Sequence, residues 1–179
     1  MNGLFADQLG DPMLRSMYEY WRRKCAGRAM PSRRDIDPSE IPKLLPHMTI
    51  TEVIGNGARF RYRLSGTAVT EAFGRSLTGQ YVDEVMKGQY RDLILRLYRN
   101  VCLARRCVFC ESKYTGSKNP GVTTKRLLMP LSEDGTTVSQ VLAIQTFLYA
   151  SHDRSILVVD NMDEFTGADV ELTEPRSEA

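Results

Sequence analysis

From Arg59 to Leu64 the chain alternates without exception between a cation and a large apolar side chain: Arg59, Phe60, Arg61, Tyr62, Arg63, Leu64. Side chains of a β-strand point to opposite faces in turn, so this run predicts a strand with one apolar and one basic face. An antiparallel sheet covered on one side is the architecture that uses such a strand. Upstream, Met48 and Ile50 alternate with Thr49 and Thr51, and Gly55, Asn56 and Gly57 between the two runs predict a hairpin. Three further runs, 107–114, 124–131 and 138–149, have strand character. Hairpin connections join them, first through Gly116 to Gly121 and then through Ser132, Glu133, Asp134 and Gly135.

Helical periodicity brackets this hairpin. Leu14, Met17, Tyr18 and Trp21 recur at i, i+3, i+4 and i+7, with Asp11 as N-cap, Pro12 at the first helical position and Gly27 as stop. Residues 89–104 carry a wider apolar face of Tyr90, Leu93, Ile94, Leu97, Tyr98 and Val101. Asp37 and Pro38 predict a short helix that Pro46 ends, and residues 67–87 read as short turns broken at Gly74 and Gly79. Helices set between a leading hairpin and a trailing meander predict an α+β domain: a five-stranded antiparallel sheet with helices on one face, preceded by an N-terminal amphipathic helix. The divisions are 1–28 for that helix, 29–150 for the sheet domain and 151–179 for a polar, acidic, disordered tail.

Charge separates along the chain. From residue 160 onward there are seven acids against Arg176 alone, which leaves 23 bases and 15 acids in residues 1–159. No stretch approaches the roughly 20 apolar residues of a membrane span, and the first twenty residues lack the basic-then-apolar order of a signal peptide. A soluble, cytoplasmic protein with reduced thiols is expected, because Cys25, Cys102, Cys107 and Cys110 form no secreted framework.

Particular segments resemble a known family. They are Met30, Pro31, Ser32, Arg33, Arg34, Asp35, Ile36, Asp37, Pro38, then Ile41, Pro42, Leu44, Leu45 and Pro46; Trp21; the strand from Phe60 to Leu64 running into Ser65, Gly66 and Thr67; and Gly74 to Gly79. Over residues 14–149 the chain resembles a PAS-fold sensor family found as stand-alone proteins in alphaproteobacteria. The resemblance implies a five-stranded sheet with a helical lid, used for sensing and for protein contacts. The chain departs from the family at Ser76, where members often carry an acid, so no role is carried over there. Arg33, Arg34, Asp35 and Asp37 are read as a charge cluster fastening the lead-in segment to the sheet, with ligand contact as the alternative.

Catalytic and cofactor chemistry finds little support in the residues. The chain has two histidines, His47 and His152, both at the ends of strand-like runs. No histidine lies within 89–104, where a haem-binding PAS domain would be expected to place one, and Asn100, Val101, Cys102 breaks the Asn-Cys adjacency of flavin photosensors. Cys107 and Cys110 sit at i and i+3 of a strand and point to opposite faces, so no metal site is expected. Gly116 and Gly121 have the spacing of a phosphate-binding loop, but Val122 replaces its lysine. The run Arg22, Arg23, Lys24, Arg28, Arg33, Arg34 lacks the interleaved aromatics of a nucleic-acid reader.

The resulting expectation is a non-enzymatic, stand-alone signalling module that binds a small ligand or a protein partner and signals in trans, with no haem, flavin or metal. Phe60, Tyr62, Leu64, Leu93, Leu97, Leu127 and Met129 are the candidate pocket residues, against the alternative that they form a filled core. Leu14, Met17, Tyr18 and Trp21 are the candidate homodimer face. A ligand-free adaptor using the Arg59, Arg61 and Arg63 face is the alternative function. Behind it stand a small hydrolase or isomerase on a curved sheet and a nucleic-acid binder.

Overall fold

The computed structural model describes residues 3–116, 119–149 and 170–173. Two helices open the chain, α1 (Gly3–Gln8) and α2 (Pro12–Cys25). The Asp11 carboxylate caps α2 by accepting from the Met13 and Leu14 amides at 2.9 and 3.3 Å. The helix closes at Ala26 in the left-handed conformation. In place of the one short helix expected after Asp37, the lead-in segment makes two separate 3₁₀ turns, Pro38–Glu40 and Leu45–His47, which follow a first 3₁₀ turn at Arg33–Asp35. Pro38, Pro42 and Pro46 explain the difference: each removes an amide donor, and Asp37 and Ile41, which precede the first two, lie outside the α region.

The hairpin follows as β1 (Met48–Ile54) and β2 (Arg59–Ser65), with Gly55, Asn56 and Gly57 all at positive φ in the turn. Then come α3 (Thr67–Phe73), α4 (Val82–Val85) and α5 (Gly88–Ala104). The meander is β3 (Val108–Gly116), β4 (Asn119–Leu131) and β5 (Gln140–Tyr149). These five strands form the expected antiparallel sheet in the order β2-β1-β5-β4-β3. A short sixth strand, β6 (Val170–Thr173), pairs antiparallel with β3 at its outer edge, within the stretch expected to be a structureless tail. The weak strand-like run 155–159 lies outside the described residues.

The helices α3 to α5 cover one face of the sheet, as expected, and the N-terminal helix α2 covers the other. Arg126 donates to the Tyr90 hydroxyl of α5, placing α3 to α5 over the face that carries Thr49, Tyr62, Arg126, Leu128, Ala143 and Gln145. On the opposite face, α2 lies across β4 and β5, tied by the Trp21 indole N–H donating to the Pro130 carbonyl at 2.9 Å and by Thr146 Oγ1 donating to Asp11 at 2.9 Å. Leu127, Met129, Leu142 and Ile144 are fully buried beneath it. Consecutive burial along 127–131 and 141–144 is what a strand with two covered faces requires.

One turn carries a pH signature. Asp134, between β4 and β5, accepts from the Thr137 and Thr136 amides and from the Ser132 hydroxyl, and these bonds hold its carboxyl well below the usual range. A depressed folded-state value stabilises above the ordinary aspartate value near about 4 and loses that contribution as pH falls toward the folded one. Asp134→Asn is therefore expected to lower the urea midpoint at pH 7 and to converge on the parent as pH drops below about 3. A constant gap across that range would contradict the assignment.

Candidate functional site

The concave face between the sheet and α5 is built from alternate strand positions. β1 contributes Thr49 and Thr51, β2 Phe60 and Tyr62, β3 Cys110 and Ser112, β4 Thr124 and Arg126, and β5 Gln145, as the registers require. Tyr90, Ile94 and Tyr98 at i, i+4 and i+8 of α5 stand opposite. Most of these side chains are polar, and all are buried.

Arg126 lies at the centre. Its guanidinium donates to Ser112 Oγ and to the Tyr90 hydroxyl, each at 3.1 Å, and stands 5.5 Å from the Tyr90 ring centroid. Beside it, Tyr98 Oη and Thr51 Oγ1 share a hydrogen bond of 2.9 Å, and the Tyr98 ring packs against Phe60 at 5.1 Å. Burial pushes the Tyr62 and Tyr98 phenols up, with the neighbouring Tyr98 and Tyr90 hydroxyls adding to the effect at Tyr62, so both remain protonated donors near neutral pH. Thr124 Oγ1 is fully buried and has no hydrogen-bond partner among the described residues. An unsatisfied buried hydroxyl costs about 1–3 kcal/mol, so a face that retains one beside a guanidinium is not optimised for packing alone.

The open space is small. A cavity of about 20 Å³ is lined by Thr49, Tyr62, Tyr90, Tyr98, Arg126 and Gln145, with Phe73, Met86 and Ile94 closing it. That volume holds about one water, against the roughly 300 Å³ or more of a small-molecule site.

The seven expected pocket residues do not converge. Phe60 and Tyr62 are on the concave face, and Leu93 and Leu97 are buried on α5. Leu127 and Met129, one register step from Arg126 and Leu128, point to the other face, beneath α2. Leu64 reaches that other face because the β1–β2 ladder shifts register between Ile50 and Thr51, and it lines a groove there. Residues outside the seven make up most of the polar cluster: Thr49, Thr51, Tyr90, Tyr98, Ser112, Arg126 and Gln145. The available signals were Thr49 and Thr51 alternating with Met48 and Ile50, and a lone buried-strand arginine, but an apolar-inward assumption assigns both to the wrong side.

The proposed dimer face is used within the chain. Leu14, Met17, Tyr18 and Trp21 are at most 3% exposed, packed against the sheet and α1, with Phe5 5.1 Å from Tyr18. A second copy has no access to them while α2 stays docked.

The charged side chains of the lead-in segment, expected to fasten it to the sheet, bond largely to nearby backbone and to Arg28. Asp35 accepts from the Ser32 amide at 2.7 Å and pairs with Arg28 at 2.8 Å; the Ser32 bond, followed by that to Arg28, lowers its carboxyl from the usual value. Asp37 accepts from Ser39 within its own turn, while Tyr20 Oη brackets the Asp37 backbone, accepting its amide at 2.8 Å and donating to its carbonyl at 3.2 Å. Arg33 donates to the Ile36 carbonyl, its amide donates to Glu133, and Arg34 is exposed. The basic face of β2 is largely neutralised: Arg59 pairs with Asp83 and Glu84, each at 2.8 Å, and Arg61 with Glu52 at 2.6 Å. Arg63 alone of the three stays exposed without an ion pair among the described residues.

Other candidate chemistry stays apart. Cys110 faces Arg126 across the ladder, whereas Cys107 precedes β3 near Cys25, and burial pushes the Cys107 thiol well up. All four cysteines are free thiols. His47 Nδ1 lies 3.2 Å from the Gln145 carbonyl, and His152 lies outside the described residues. Among the described residues no three His, Cys, Asp or Glu side chains are grouped to hold a metal, and no helix is long and apolar enough to cross a membrane.

A comparison with protein-family models matches residues 10–145 to the model described as PAS domain. A comparison with curated proteins finds no match.

Proposed function

The chain belongs to the PAS domain family, whose members are signalling and sensory modules, and on that premise we propose that its sensing element is the buried polar cluster around Arg126. The ligand is a small, acceptor-rich molecule such as a short-chain carboxylate, seated between the sheet and α5. The observation that carries this reading is chemical: a guanidinium, three phenols and an orphan threonine hydroxyl together present donors on a face where an apolar core would serve stability better. Admission of a molecule larger than water requires α5 to move outward, and that movement is the signal the proposal passes to a partner protein in trans. The reading assigns no reaction to the chain.

The water-sized cavity favours a second reading, a ligand-free interaction module. A thermal-shift series with acetate, malonate and succinate separates the two. At a hundredfold excess over Kd a ligand adds about 2.7 kcal/mol, a rise in Tm of roughly 5–10 °C for a chain of this size. Arg126→Met is expected to abolish the shift, and Tyr90→Phe to reduce it while preserving the fold. No shift with any of the three supports the ligand-free module.

A further inference from the structure

A second hollow, of about 360 Å³, opens on the other side of the sheet between the lead-in segment and the β2–α3 junction. Its floor and walls are apolar, with Ile36, Ile41 and Leu45 facing Met48 and Leu64. Among the described residues Arg33 is the single charged residue lining it, and no acid lines it.

The surroundings are cationic in effect. Arg34, Lys43 and Arg63, each next in sequence to a lining residue, are exposed and form no ion pair among the described residues. The acids nearby are already engaged: Asp35 by Arg28 at 2.8 Å, Glu40 by Lys24 at 2.7 Å and Asp37 by Ser39. The groove is also stiff. Pro38, Pro42 and Pro46 line it, and the Gly66 amide donates to the Met48 carbonyl at 2.9 Å, holding the junction closed. A preformed groove loses little conformational entropy on binding.

We propose that this groove docks a short acidic peptide segment of a partner protein, with one or two bulky apolar side chains in the hollow and Asp or Glu residues on either side. The unpaired cations come from three separate places, the first 3₁₀ turn, the loop before the third and β2. Matching them takes several spaced negative charges, which a peptide supplies and a single-headed fatty acid does not. The proposal rests on the signalling reading only in requiring a partner, and it is independent of the concave-face ligand.

The test is selection of short random peptides displayed on phage against the full chain, followed by fluorescence anisotropy with one synthetic peptide from the selection. Expected are sequences rich in Asp, Glu, Leu and Phe, binding that weakens as salt rises, and a loss of at least about tenfold in affinity for Arg63→Glu and for Arg34→Glu. Leu45→Glu should lose binding while circular dichroism stays that of the parent, and Arg126→Met should bind as the parent does, which separates this site from the sensing cluster. Neutral or basic selected sequences, affinity unmoved by the rim reversals, or equal competition by decanoate would each overturn the proposal.

Discussion

Gly66→Ala is expected to destabilise the domain by roughly 3 kcal/mol, the upper end of overpacking costs, and urea denaturation reads this as a lower midpoint at unchanged slope. Gly66 lies between β2 and α3 at φ −66°, a conformation open to any residue, so the requirement is steric and not conformational. A Cβ there would fall well inside the contact distance of the Leu45 and Pro46 carbonyl oxygens. Those atoms belong to backbone held by the third 3₁₀ turn and by the Gly66 amide bonded to Met48, so they cannot swing aside as a flexible side chain would. The same substitution should weaken peptide capture at the groove, because Leu45, Pro46 and Gly66 all line it. An alanine variant as stable as the parent would mean that the lead-in segment is not pressed against this junction.

Trp21→Ala is expected to cost about 3–5 kcal/mol, the range for removing a large buried aromatic. Trp21 is 3% exposed, and its indole N–H satisfies the Pro130 carbonyl at 2.9 Å. Trp21→Phe keeps most of the volume and orphans that carbonyl, so it should cost about 1–3 kcal/mol. The pair separates packing from hydrogen bonding, and it also decides where α2 rests. If the alanine variant kept the parent's stability but changed its mass in light scattering, α2 would belong to an interface between copies.

The backbone plan was legible wherever periodicity was unambiguous. The Arg-alternating run of β2, the Gly55 to Gly57 turn and the apolar face of α5 each specify one conformation. The meander strands were also legible, because turn residues bound them. Three features were not. The lead-in turns failed because Asp37 and Pro38 begin a 3₁₀ turn as readily as a helix, and only the later prolines decide between them. The strand β6 failed because four residues, Glu171 among them, are too short a run to carry a strand signal of their own; pairing with β3 supplies it.

The candidate site failed for a more instructive reason. Apolar side chains were assigned inward, yet this sheet has two covered faces, and the more apolar one lies under α2. The signal was present in the unbroken apolar runs of β4 and β5, which a sheet with one wet face does not tolerate. Given two covered faces, Thr49, Thr51 and Arg126 are free to line the other, and the polar cluster follows from strand register. The register shift after Ile50, which sends Leu64 to the α2 side, has no signature in the sequence.

The reading of the chain as a sensor is tested most directly by native mass spectrometry of the purified protein incubated with succinate, alongside Arg126→Met. A one-to-one adduct on the 20.3 kDa chain, which the variant does not form, is the expected result. An adduct retained in full by Arg126→Met, or the bare chain mass at millimolar acetate, malonate and succinate alike, would contradict it.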